Sequence, residues 1–126
     1  MEKLLEYIHA FLLENISESF NIEIFYEEGN EDALQLPYMV YTTSSDMSLS
    51  KVREDVTFTL NFWGVSEHKR TITKAVDKIK ELVSMGVVID ACKPLAISTE
   101  FMSRMDVPVQ DQRLRCTEVR FKVSLY

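Results

Sequence analysis

Glycine and proline are scarce, with three of each in 126 residues. No GxGxxG or GxxxxGK[ST] stretch occurs, so the backbone loops that cradle phosphates and dinucleotides are missing. Two histidines and two cysteines stand far apart, with no CxxC pair and no Cys/His cluster, which argues against structural zinc. Cys92 and Cys116 read as half-buried thiols of a reducing compartment. HExxH and GxSxG are absent, and neither histidine has a visible acid–base partner. The aspartates Asp55, Asp77, Asp90, Asp106 and Asp111 are scattered. No catalytic residue, metal or cofactor is therefore expected.

No apolar run approaches the roughly 20 residues of a membrane span. The first residues, MEKLLEYIHAFLLENI, are amphipathic and carry acids. They lack a basic leader and a small-residue cleavage site, so no signal peptide is expected. Basic charge is also short: 14 Lys and Arg against 20 Asp and Glu, a net −6. That argues against general affinity for nucleic acid, whose binding rests on neutralising phosphates.

What is present suits one soluble domain. Apolar residues make up 46%, and a chain of this length buries about two thirds of its unfolded surface. Leu4, Leu5, Ile8, Leu12 and Ile16 recur at helical spacing, which predicts a helix over 3–18; His9 is expected at its surface or edge. NIEIFY at 21–26 predicts a short strand, and EEGNEDA at 27–33 an acidic loop. LPYMVYTTS at 36–44 predicts a strand entered through Pro37. VTFTLNFWG at 56–64 predicts another, with Val56, Phe58, Leu60 and Phe62 on one face. The polar segment 44–55 between them reads as a long hairpin arm with paired stems.

Gly64 ends that strand, and Ser66 is a candidate N-cap for the next helix. Ile72, Ala75, Val76, Ile79, Leu82 and Val83 give that helix its buried stripe, and Gly86 its C-terminal stop. About 19 residues make it roughly 28 Å long. VVIDACKP at 87–94 reads as a short strand or extended connection. AISTEFMSRM at 96–105 reads as a strand, and 103–113 as a second polar, Pro-containing connection. LRCTEVRFKVSLY at 114–126 places Val119, Phe121, Val123 and Leu125 on one face, and its phase change near residue 117 predicts a bulge or a change of environment there. The fold class is α+β: a single mainly antiparallel sheet with two helices packed on one face.

The chemistry left over is that of contact. The two polar segments and the strand-end tryptophan supply candidate interface residues: Ser45, Asp46, Met47, Leu49, Lys51 and Arg53 in the first, Arg104, Asp106 and Arg113 in the second, and Trp63 between them. Exposed aromatics anchor contacts with other chains, and open strand edges let one subunit extend another's sheet.

The succession LPYMVY, polar arm, VTFTLNFW, long helix from Ser66 and alternating RCTEVRFKVSLY resembles the tail terminator and head–tail joining (tail completion) proteins of long-tailed bacteriophages. The resemblance spans nearly the whole chain in order and length. In many members an Asp precedes a final Val-Trp of the third strand; here Asn61-Phe62-Trp63 stands there. The resemblance implies a non-enzymatic virion protein of the tail–head junction, made in the bacterial host cytoplasm during assembly. Its partners would be copies of itself in a hexameric ring, the tail tube protein and the head connector proteins. DNA would pass through without specific binding, and no membrane would be involved. The arm at Ser44–Asp55 would then touch a neighbouring subunit or the tube, with Trp63 near a subunit interface. The alternative is a cytoplasmic α+β module, unrelated to phage, that binds a protein or small ligand. A small enzyme would need converging carboxylates in a pocket.

Overall fold

The computed structural model describes residues 2–27, 36–47, 53–93 and 95–126. Helix α1, Glu2–Leu12, runs on through a π-helical turn, Leu13–Ser17, and a last α-helical turn, Glu18–Phe20. In the widened turn the Asn15 side-chain amide donates to the Phe11 carbonyl at 2.9 Å. Asn21 ends the helix in the left-handed region, φ 55 and ψ 45, where Asn is tolerated better than most residues. The remaining elements are β1 (Glu23–Tyr26), β2 (Tyr38–Met47), β3 (Glu54–Gly64), α2 (Lys69–Ser84), α3 (Val87–Ala91), β4 (Ile97–Val107) and β5 (Arg115–Leu125). A 3-10 turn, Ser66–His68, leads into α2.

The strands form one five-stranded sheet in the order β1-β2-β3-β5-β4. Only β1 and β2 run parallel; the other three pairings are antiparallel. The helices lie on one face. His9 of α1 reaches Tyr41 of β2. On α2, Val83 accepts from Thr99 of β4, and Lys80 sits over the Phe101 ring. This is the expected α+β fold, with a third, short helix added.

The core fills the space between that face and the helices. Leu4, Ile8, Leu12 and Ile16 of the first helical segment, Ile72, Val76 and Ile79 of α2, and Val56, Phe58, Leu60 and Phe62 of β3 all bury there. Phe58 and Phe121 stand opposite each other in the β3–β5 register and stack with centroids 5.1 Å apart and planes 10° apart. One polar pair is built in: His9 Nδ1 and the Tyr41 hydroxyl are 2.6 Å apart. Burial, with Tyr26 nearby, pushes the Tyr41 phenol up to about 12. His9 is thus half-buried at the helix–sheet seam rather than a surface residue.

Four expectations need correction. VVIDACKP is not extended: Val87–Ala91 is α3, and Val88 and Cys92, four apart, are both fully buried. Gly86, at φ 78, closes α2 and lets the chain restart a helix at once. The burial of that spacing overrides the β-branched preference of Val87, Val88 and Ile89 for strand. Secondly, 103–113 is not a connection throughout, because β4 continues to Val107. Its polarity there reflects an edge strand. Thirdly, the bulge lies in β4, not near residue 117: the register jumps from Phe101↔Phe121 to Ser103↔Arg120, leaving Met102 unpaired, while β5 follows β3 without a break. Finally, Ser66 does not cap the second helix. His68 holds that N-cap position without a side-chain cap bond; its Nδ1 instead accepts from the Val65 N–H at 3.1 Å and closes the 3-10 turn.

Two substitutions test this packing. Phe121→Ala should cost about 3–5 kcal/mol in urea unfolding, the range for truncating a buried Phe. Gly64→Ala should cost about 1–3 kcal/mol, because a Cβ there would stand 2.9 Å from both His68 Cβ and Ile72 Cδ1.

Candidate interaction surface

Successive residues of a strand point to opposite faces, and the described helices occupy only one. The other face is therefore presented outward by alternate residues of all five strands. It divides into three zones along the strand direction.

At one end the parallel β1–β2 pair and the β2–β3 pair align Phe25, Tyr38 and Trp63. Tyr38 and Trp63 are opposite in register and stack at 6.4 Å with planes 19° apart. Phe25 meets Tyr38 edge-on at 6.4 Å. All three rings are half-buried, as is Val40 beside them. Cys116 pairs with Trp63 across β3–β5 and is buried, its Sγ 3.8 Å from Asn61 Oδ1. Burial, reinforced by Glu118 and Asp106, pushes this thiol up to about 11. It is a packing group rather than a nucleophile.

The middle zone is low and polar, with Thr42 opposite Thr59 and Ser44 opposite Thr57. At the far end, charges pair within the face. Arg53 holds Asp55 at 3.1 Å and Lys122 holds Glu100 at 3.2 Å; a third pair, Arg120 with Glu118 at 2.7 Å, lies nearer the aromatic end, opposite Thr59 and Asn61. Ser124 donates to Asp55 Oδ1 at 2.7 Å. That hydrogen bond first, and Arg53 beside it, hold the Asp55 carboxyl below the usual range. Such exposed ion pairs add little stability.

The candidate contact residues do not form one patch. Ser45 donates to Glu54 in the stem of the β2–β3 hairpin. Asp46 and Met47 end β2, opposite Asp55 and Glu54, and Arg53 precedes β3. Leu49 and Lys51 lie outside the described residues. Trp63 stands at the other end of β3, roughly 33 Å away at the usual rise per strand residue. Near that end Arg104 points to the helix side and pairs with Asp77 of α2 at 2.7 Å. Asp106 accepts from the Thr117 hydroxyl. Arg113 folds back on Asp111 within the β4–β5 connection. The paired hairpin stems match expectation; a single interface built from both polar segments does not. Phe25 and Tyr38 were missed as partners of Trp63. Their strand alternation was visible in the sequence, but the β1–β2 register that joins the rings was not.

Among the described residues no group of three or more His, Cys, Asp or Glu could hold a metal ion, and no helix is long and apolar enough to cross a membrane. No family model matches the chain, and no curated protein does. Thirty solved chains match. One of them, a protein carrying only a sequence identifier, shares 10% identity over 97% of this chain and 95% of its own, with a TM-score of 0.55. That likeness shows a shared fold across the whole domain and nothing of activity.

The Asp55 cluster has a measurable signature. Ser124→Ala should raise the Asp55 titration midpoint toward the ordinary aspartate value, read by carboxyl NMR. Because the folded carboxyl titrates lower than the unfolded one, its contribution to stability is present above the unfolded midpoint and is lost as pH falls through the folded one. Ser124→Ala should therefore flatten the acid limb of the stability curve.

Proposed function

We propose that the chain is a non-enzymatic assembly subunit, a tail terminator or head–tail joining protein of a long-tailed phage or prophage. It forms a ring that caps the tail tube and docks to the head connector. The observation that carries this reading is the helix-free sheet face with its stacked Phe25, Tyr38 and Trp63. Half-buried aromatics on a sheet face are the composition of a protein contact rather than of a reaction site. β4 adds an outer edge along its whole length, Ile97–Val107, with Met102 and Met105 48% and 52% exposed. The whole-chain pattern resemblance to the terminator proteins supplies the specific identity. The acidic excess suits a lumen through which DNA slides.

Light scattering on a sizing column over a range of concentrations, with negative-stain images of the same fractions, tests this reading. Rings with a mass of about six chains are expected, closed by a repeated contact. A monomer at every concentration that also leaves the length of assembling tail tubes unchanged would overturn it in favour of a ligand- or protein-binding module. In the same assay Tyr38→Ser with Trp63→Ser should weaken assembly by about 30-fold or more, the loss of a central hot spot, with the far-UV spectrum unchanged.

A further inference from the structure

β4, Ile97–Val107, forms one edge of the sheet and is paired on one side only, with β5. A bulge at Met102 divides it. Bulges blunt an edge against further pairing, but beyond this one the strand is regular to its end. There the register sets the faces. Ser103, Met105 and Val107 stand opposite Arg120, Glu118 and Cys116 on the outer face, while Arg104 and Asp106 stand opposite Val119 and Thr117 on the helix face. Arg104, Met105 and Asp106 are consecutive and exposed, Met105 by 52%.

The charges of this stretch are only half satisfied. Arg104 Nη1 is 2.7 Å from Asp77 Oδ1, but a guanidinium carries five N–H donors in a planar fork and can hold a second carboxylate. Asp106 accepts from the Thr117 hydroxyl at 3.3 Å and has no ion-pair partner among the described residues. A cation and an anion two residues apart on one face of an edge strand are complementary to the same two residues running the other way. Turned about a twofold axis through Met105, the stretch sets Arg104 against Asp106 of a second copy, Asp106 against Arg104, and Met105 against Met105. Ser103 then meets Val107. Every pair shares a face, as antiparallel pairing requires. The adjacent registers that also keep the faces are penalised. A shift one way opposes Arg104 to Arg104, and a shift the other way opposes Asp106 to Asp106; like charges directly opposite are destabilising. The strand thus selects one register against itself, which favours a second copy over a strand of another protein.

We propose that the free subunit pairs with a second copy through residues 103–107 of β4. Two five-stranded sheets then continue into one, with the helices of both copies on the same side. Each Arg104 lies between Asp77 of its own copy and Asp106 of the other. The contact is isologous, so it closes no ring and does not rest on the ring reading above. It gives the unassembled chain a cover for its open edge. So short a pairing buries less than the roughly 1,200 Å² of a stable complex, and the dimer is weak and in rapid exchange.

The test is a dilution series of the full-length chain from about 1 mM to about 10 µM, the range of weak contacts, followed by methyl and amide NMR and by sedimentation. A monomer–dimer equilibrium is expected, with shifts centred on the Met105 methyl and the amides of 103–107. Arg104→Glu alone and Asp106→Arg alone should each weaken the dimer about tenfold or more, because each sets like charges opposite. An equimolar mixture of the two variants should recover it, since each chain supplies the sign that the other lacks at both positions. That recovery requires both variants to be folded, so it separates charge complementarity from damage to the fold. No concentration dependence in the unsubstituted chain, a two-chain mass that persists in both variants, or a mixture that stays monomeric would overturn the contact. Loss of the dimer in the variants with rings retained would uphold both readings. A chain that stops at two copies and leaves tail tubes unchanged would uphold this contact and sink the ring reading.

Discussion

Eleven residues of β3 pair without interruption with eleven of β5, from Glu54↔Leu125 to Gly64↔Arg115, and everything else is arranged around that ladder. On one side it carries Val56, Phe58, Leu60 and Phe62 against Val123, Phe121 and Val119, all fully buried. This apolar floor is where α1 and α2 place their stripes. A slip of one residue would exchange the two faces. The stacked phenyl rings would then point outward, and Asp55, Asn61 and Trp63 would point under the helices. The helices do not merely cover the sheet; they fix its register by accepting one face only.

That one-sidedness gives the molecule its outward character. The described helices cover one face of the sheet, so the side chains of the other face are left to meet water or another chain. Near the hairpin end they do so as ion pairs, Arg53 with Asp55 and Lys122 with Glu100, and a third pair, Arg120 with Glu118, lies nearer the aromatic end. Near the other end they do so as three aromatic rings that shield one another and Cys116. The first solution is indifferent to a partner. The second leaves half-buried rings that gain by further burial, at about 25 cal/mol per Å² of apolar surface removed from water.

Strongly periodic segments were legible directly. The α2 stripe, the alternation of β3 and the alternation of β5 all have the buried residues that the sequence pattern predicts, because each buries one face only. Misreadings arose where a local pattern is short or where a partner decides. Val87–Ala91 is five residues long, too few for a helical period to compete with β-branched composition. β4 past Met102 reads as loop because a bulged edge strand faces water with residues such as Arg104 and Asp106. His68 at the N-cap position is invisible in a pattern search, since Ser66 is the better N-cap type. The candidate contact residues were picked one by one from their segments. Their separation along the sheet, and the joining of Phe25 and Tyr38 to Trp63, depend on strand register, which no single stretch encodes.

The order β1-β2-β3-β5-β4 also sets a timetable. β2 with β3, and β4 with β5, are hairpins whose halves are close in the chain. The central β3–β5 seam, by contrast, joins strands separated by about 50 residues, Val65 to Leu114, whose closure has an entropic cost. Pairings of that span form slowly relative to local ones. The two hairpins and α2 can take shape first, and the phenyl stack closes late, as the event that unites them. Until it closes, Cys116 has no Trp63 across from it, although the Tyr38–Trp63 pair already belongs to the β2–β3 hairpin. The buried thiol is thus a marker of the completed sheet: it is covered only once the two halves of the fold have met.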